Sequence, residues 1–289
     1  MIHASTKDQI TALKAEYDQL KPGREHLLRL LEEAELPEQV YNSNAIENST
    51  LTLKETERIL LEQQVMRNVS VRELFEAQNL ARVIGYLNKH PGLETNVESI
   101  LLLHQLLLGG INDEYAGKLR QAGEYVRVGR HIAPAPEHVE YLLQELLTDY
   151  QLARSRDFID TIAEFHVRFE NIHPFCDGNG RIGRVLINKQ LSQMGYPPLI
   201  IRSKGRERDY YPLFTAYNDK GKTEGMTLLL SRALRESLHR RLAYLKGQQI
   251  VQLTNYARDT NQHANTLLNQ AKRQTLPAFR ERGIWSIGV

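Results

Sequence analysis

Cysteine is almost missing from this chain: Cys176 is the only one in 289 residues. A single thiol forms no internal disulfide and supplies no cysteine cluster for zinc, so disulfide scaffolds and cysteine-based metal sites both drop out. Long apolar runs are missing too. The longest, Ile100 to Leu108, is interrupted by His104 and Gln105 and falls far short of the ~20 residues that cross a bilayer. The N-terminus, MIHASTKDQITALKAEYDQL, alternates charged and apolar residues and lacks the apolar core of a signal peptide. The expected compartment is therefore the cytoplasm, with no membrane partner. No low-complexity stretch or solenoid repeat is evident. The balance of 41% hydrophobic and 25% charged residues excludes a disordered or fibrous chain.

Charge is unevenly spread. Met1 to Leu230 carries 27 Lys+Arg against 32 Asp+Glu, net −5, whereas Ser231 to Val289 carries 10 against 3, net +7. The positive charges of the tail are scattered, which fits a solvated helical face better than a nucleic-acid arm.

Apolar residues recur at helical spacing almost throughout, as in Leu13-Tyr17-Leu20 and Leu80-Val83-Ile84-Leu87, so the fold class is all-α. Met226 to Lys246 and Gln248 to Leu276 each lack Gly and Pro, which predicts two long C-terminal helices or a helical subdomain. Two stretches break the pattern. Between residues 119 and 136, LRQAGEYVRVGRHIAPAP reads as a short hairpin or flap. At residues 171–184, NIHPFCDGNGRIGR reads as helix, tight loop, helix.

That second loop concentrates chemistry. Gly178 and Gly180 flank Asn179 at the opening of a helix, leaving backbone N–H groups uncovered as an anion cradle. Arg181 and Arg184 share a helix face and can grip phosphate oxygens. Asp177 is a hard oxygen ligand suited to magnesium, and His173 carries a side chain whose ordinary pKa lies near neutrality, as suits a general base. Taken singly, these residues fit a turn, a helix-ending histidine and solvated arginines equally well. Their joint occurrence within twelve residues points to polyphosphate chemistry. Phe175 reads as a packing anchor and Cys176 as filler.

The segment HPFCDGNGRIGR, His173 to Arg184, resembles the HPFx[DE]GNGRxxR signature of the Fic family at every specified position. The resemblance implies a Fic helical bundle with a flap hairpin and helical N- and C-terminal extensions. It also implies transfer of AMP from ATP to a Ser, Thr or Tyr hydroxyl of a target protein. It would make His173 the base and Asp177 the ligand of Mg²⁺ or Mn²⁺. Gly178, Asn179, Gly180, Arg181, Ile182, Gly183 and Arg184 would surround ATP. Val128, Gly129, Arg130 and His131 match the part of the family's flap that lies over the nucleotide, and the flap is expected to clamp the target as an added strand. Tyr210 and Asn218 match adenine-side positions, although Tyr210 also reads as an ordinary core aromatic.

Upstream, Ser43 to Asn48 reads SNAIEN and resembles the [ST]xxxE[GN] inhibitory motif of Fic proteins. The resemblance pairs Glu47 with Arg184, removing the cation that should hold the γ-phosphate. The longer AIENSTLTLKE is similar to a branch in which the same glutamate also directs removal of AMP, but Asn48 and Ser49 depart from that branch's Gly and Asn. The expected organisation is N-terminal helices over 1–70 with the motif at 43–48, a Fic core over 71–230, and a basic helical extension over 231–289. Self-AMPylation and a homodimer fit this reading. Rival readings are transfer of another nucleotide, of phosphate or of phosphocholine, and a partner role in a toxin–antitoxin pair. A DNA-associated regulator is a further rival: residues 255–283 could hold a helix-turn-helix-like pair with Lys272 and Arg273 facing phosphates. That turn lacks a clear glycine and no recognition helix is defined, so nucleic acid is not an expected partner.

Overall fold

A computed structural model of the chain describes residues 4–64, 69–153 and 157–289. Residues 65–68, near the expected boundary at 70, and residues 1–3 of the expected N-terminal helices lie outside the described residues. The fold is mostly helical.

The elements run α1 (Ala4–Leu20), α2 (Glu25–Ile46), α3 (Leu53–Glu57) with a π-helical turn at Arg58–Glu62, α4 (Val71–Lys89) and α5 (Val97–Leu108). A two-stranded hairpin follows, β1 (Arg127–Val128) and β2 (His131–Ile132), then α6 (Pro136–Leu152), α7 (Phe158–Ile172), α8 (Asn179–Gln193), α9 (Arg206–Asp209), α10 (Tyr211–Lys220) and α11 (Glu224–Leu245). The chain ends with β3 (Ile250–Gln252), α12 (Leu253–Asp259), α13 (Ala264–Arg273), β4 (Ala278–Glu281) and β5 (Ile284–Gly288).

Local sequence sets the helix starts. Thr52 caps α3 in a reciprocal capping box with Glu55, Asn96 does the same for α5 with Ser99, and Ser70 and Asp157 cap α4 and α7. Each such cap satisfies a backbone N–H that the helix itself cannot.

Two compact units emerge. The first comprises Pro37–Gly195 and Ile201–Thr227; the second comprises the described residues up to Leu36, Tyr196–Ile200 and Leu228–Val289. The described residues up to Leu36 thus group with the C-terminal segment, and the rest of the expected N-terminal helices, including residues 43–48, group with the core. In the first unit α7 and α8 are buried on nearly all sides, the signature of central helices. The hairpin β1–β2 closes through Gly129, whose φ of +60 suits a two-residue turn of type II′.

The second unit corrects two readings. Almost all of Met226–Lys246 is the long helix expected, within α11, but the chain beyond Gln248 is not wholly helical: Ile250 and Val251 pair with β5, and a three-stranded antiparallel sheet forms in the order β3-β5-β4. Freedom from Gly and Pro did not mean continuous helix, because Asn261 and Gln274 adopt left-handed backbone, φ +53 and +57, and break the helices themselves. Nor is the positive charge simply a solvated face. Arg240 and Arg241 are buried on Glu35, and Arg280 is bidentate to Glu236.

Candidate active site

The loop between α7 and α8 is held from within. His173 ends α7 in left-handed conformation, φ +50 and ψ +62, and its N–H bonds to the Phe169 carbonyl at 3.0 Å. A non-glycine residue with positive φ is costly and marks a fixed turn. Asn179 accepts from the Phe175 N–H at 2.9 Å and donates to the Phe175 carbonyl at 2.7 Å, closing the loop. Phe175 is fully buried, as its reading as an anchor requires, and stacks on His104 with ring centroids 3.6 Å apart. Gly178, φ +81, opens α8. Cys176 has its thiol pushed up to about 11 by burial and then by Glu124, which leaves it protonated and unreactive.

His173 is half-buried, and desolvation lowers its pKa to about 4; the Glu170 carbonyl, 3.2 Å from Nδ1, works the other way. At neutral pH the ring is therefore uncharged and able to accept a proton.

Arg184 is held by three hydrogen bonds to the end of α2. Its Nε donates to Ser43 Oγ at 2.9 Å, and its Nη2 donates to the Ser43 carbonyl at 2.9 Å and to Glu47 Oε1 at 2.8 Å. Ser43 and Glu47 lie one helical turn apart at the end of α2, so both reach the same guanidinium. Burial is the largest influence on Arg184 and lowers its pKa, but Glu47, Tyr210 and Glu170 together outweigh it and leave the pKa raised. The Glu47 carboxylate also rests on the glycine loop: a Cβ on Gly180 would lie 2.1 Å from Glu47 Oε1.

Asp177 sits in a four-membered charge ring. Its Oδ1 accepts from the Gly178 N–H at 2.6 Å and from Arg181 Nη2 at 2.9 Å, and its Oδ2 accepts from Arg72 Nη2 at 2.7 Å. Glu76 completes the ring, 3.1 Å from Arg72 Nε and 3.3 Å from Arg181 Nη1. Arg181 is almost fully buried and its Nε has no hydrogen-bond partner among the described residues.

A family model of the Fic/DOC family matches residues 94–191, which span this loop. The chain belongs to the Fic family. It is similar to the protein adenylyltransferase Fic of Nematostella vectensis, 31% identical over 217 residues, covering 73% of this chain and 50% of that protein. It is also similar to that of Drosophila persimilis, 33% identical over 176 residues, covering 60% and 34%. The chain thus spans half or less of the length of these curated relatives. Among solved structures, Fic-1 (residues 134–508) from C. elegans superposes with a TM-score of 0.71 at 27% identity, over 82% of this chain and 70% of that one. A Fic-domain signalling protein from Bacteroides thetaiotaomicron shares the fold, with a TM-score of 0.75 at 22% identity over 83% and 97%.

Around the Fic loop the other expected residues fall into two groups. His131 reaches α7 through its Nε2 and the Asn171 carbonyl, 2.9 Å apart, and Asn171 donates to Asn218, so these two belong to the site's edge. Val128, Gly129 and Arg130 stay exposed at the hairpin tip. Tyr210, however, is 3% exposed, with its hydroxyl 2.7 Å from His166 Nε2 and its ring edge-on to Phe214. It lies under the site rather than at its wall, because an aromatic flanked by Phe214 and His166 gains more by burial than by facing water. Ile182 is likewise core. Gly183 is required by packing, since a Cβ there would meet Glu170 Oε1 at 2.4 Å and His166 at 3.1 Å. Burial raises the Glu170 carboxyl to about 8, the Arg184 cation opposing it. Asn48 is left-handed, φ +68, and accepts from Arg206 at 2.7 Å.

Three site residues were not legible in the sequence. Arg72 reaches Asp177 from α4. His104 on α5 holds the Asp177 carbonyl through Nε2 at 3.0 Å and accepts the Gly117 N–H at Nδ1, also at 3.0 Å. Arg120, 2% exposed, donates to the carbonyls of His173, Ile172, Pro134 and Glu124, tying the flap to the base.

Proposed function

We propose that the chain transfers AMP from ATP to a protein hydroxyl and that Glu47 restrains this activity in the resting state. The observation that carries the reading is the pairing of Arg184 with Ser43 and Glu47 while the Glu47 carboxylate covers Gly180. An anion already fills the place where a cradle of glycines and arginine would take a phosphate. The names of the relatives, protein adenylyltransferase Fic, support the reaction class.

In the transfer, the target oxygen attacks the α-phosphorus, the bond to the β-phosphate oxygen breaks, and diphosphate leaves. His173, neutral at working pH, takes the hydroxyl proton and returns it to water. The glycine-loop N–H groups and Arg181 offset charge on the departing diphosphate, so positioning and electrostatics supply most of the rate. A divalent cation fits the donor chemistry modestly: Asp177 offers one carboxylate next to a phosphate cradle, which suits magnesium because magnesium takes its other ligands from phosphate and water. Among the described residues no group of three His, Cys, Asp or Glu side chains forms a metal cage. When bound, the ion would neutralise phosphate charge.

The target is expected at the flap, whose exposed Val128 and Ile132 stand on two-residue strands with open edges. Among the described residues no helix is long and apolar enough to cross a membrane. Removal of AMP by a Glu47-directed water is a second reading, supported by the carboxylate's place over Gly180. Intact-mass measurement after incubation with Mg²⁺ and ATP tests the proposal: Glu47→Gly should gain one AMP mass increment on Ser, Thr or Tyr, and His173→Ala none. An unmodified Glu47→Gly protein that also fails to modify any added protein would overturn it.

A further inference from the structure

The C-terminal part of the second unit has a shape that AMP transfer does not use. Strand β3, helix α12, a short turn, helix α13 and the hairpin β4–β5 follow in that order, with β5 between β3 and β4. Leu253 and Ala257 of α12 pack on Leu267 and Ala271 of α13 and on Ala278 and Ile287 of the sheet; the small alanines permit a close helix crossing. This is a helix-turn-helix with a β-hairpin wing.

The turn, which has no glycine, is made by Asn261, whose φ is +53. Asparagine tolerates this left-handed region better than other side chains, and the Gln262 N–H closes on the Ala257 carbonyl at 2.9 Å. A helix that the sequence left undefined is thereby placed: with Leu267 and Ala271 buried, α13 turns Asn265, Asn269, Gln270, Lys272 and Arg273 to solvent. No acidic residue occurs between Asp259 and Glu281. At the wing tip, Arg282 and Gly283 both have positive φ, as a type I′ turn requires, and Arg282 is exposed.

We infer that this segment binds double-stranded DNA, with α13 in the major groove and the wing on the neighbouring backbone. Asn265, Asn269 and Gln270 carry the amide groups that bond adenine edges in pairs, and the second helix of such a motif is the one that enters the groove. Lys272, Arg273 and Arg282 are placed for phosphates. A helix-binding protein groove would require apolar anchors on the exposed face, and single strands would require aromatic stacking platforms; these five positions of α13 carry neither. The inference is independent of the AMP transfer proposed above.

The test is fluorescence anisotropy of the full chain with a labelled mixed-sequence duplex of about 30 bp, at about 50 and 200 mM salt. Binding on the order of 10⁻⁶ M is expected at the lower salt, weakening steeply at the higher. The triple variant Lys272→Ala, Arg273→Ala, Arg282→Ala should flatten the log–log salt slope by about 3, roughly one unit for each phosphate no longer neutralised. Selection from a randomised duplex pool should return different sequences for Asn269→Ala, Gln270→Ala than for wild type. All five changes fall on exposed positions, and an unaltered circular-dichroism melt confirms folding. The inference is overturned by no binding at the lower salt, by an unchanged salt slope in the triple variant, or by a single strand that competes as well as the duplex.

Discussion

Glu47 and Arg184 are 137 residues apart in sequence, yet Glu47 Oε1 lies 2.8 Å from Arg184 Nη2. The arginine side chain is 7% exposed and the glutamate 41%, so one partner is sheltered while the other keeps a route to water. A carboxylate held in this way is removable, which is what a reversible brake requires. Freeing Arg184 leaves a buried cation facing a glycine cradle, ready for phosphate.

Glu47→Gly should therefore raise AMP transfer, measured as initial rate per enzyme, by roughly tenfold or more. A hydrogen bond to a charged group contributes about 1.5–3 kcal/mol, the Glu47 exposure reduces that, and ~1.4 kcal/mol is a factor of ten in rate. An unchanged rate would remove Glu47 from the account.

The proposed brake would have its own latch. Tyr211 donates its hydroxyl to the Ile46 carbonyl, one residue before Glu47, and Arg206 donates to Asn48, one residue after. Tyr211→Phe with Arg206→Ala should loosen the end of α2 and raise transfer by several-fold, less than Glu47→Gly does, since the Tyr211 bond is neutral and contributes about 1 kcal/mol while the charged Arg206 bond is exposed and weakened by water. The comparison is of initial rates, with no further gain expected when the latch changes are added to Glu47→Gly.

Arg72 holds Asp177 Oδ2 at 2.7 Å and so neutralises the carboxylate that magnesium would need. Arg72→Ala should lower the Mg²⁺ concentration at which a fluorescent ATP analogue half-saturates the Glu47→Gly protein, read by titration without turnover. A higher requirement would instead show Arg72 acting as a phosphate ligand.

Acid should destabilise the fold. Burial lowers His104, His173 and His239 to about 4 and His166 to about 3, from 6.5 when unfolded. Between these values and 6.5 the unfolded chain binds more protons, so stability is lost as pH falls through that window. Glu170, raised to about 8 from 4.5, acts in the opposite sense but is one group against four. Melting temperature should fall steadily from pH 6.5 towards 4.5, and His104→Gln should flatten the decline; a level profile would contradict these burials.

How much was legible in the sequence follows from how far apart the parts lie. The segment His173–Arg184 gathers base, carboxylate, cradle and two cations in one contiguous run, and the spacing of Ser43 to Glu47 puts both on one helix face, so each could be read without a fold. Arg72, His104 and Arg120 reach the loop from 105, 73 and 53 residues away; nothing local distinguishes them from any other residue of those segments. Tyr210 matches a family position, yet its environment, not its identity, decides that it is core. At the C-terminus, the breaks made by Asn261 and Gln274 carry little signal, because the usual punctuation is glycine or proline.

The most direct measurement is label transfer with Mg²⁺ and ATP carrying ³²P at either the α- or the γ-phosphate, using wild type, Glu47→Gly and His173→Ala. The account predicts label from the α-phosphate alone, weak in wild type, strong in Glu47→Gly and absent in His173→Ala although that variant still binds ATP. Label from the γ-phosphate, or equal α-label in all three proteins, would contradict it.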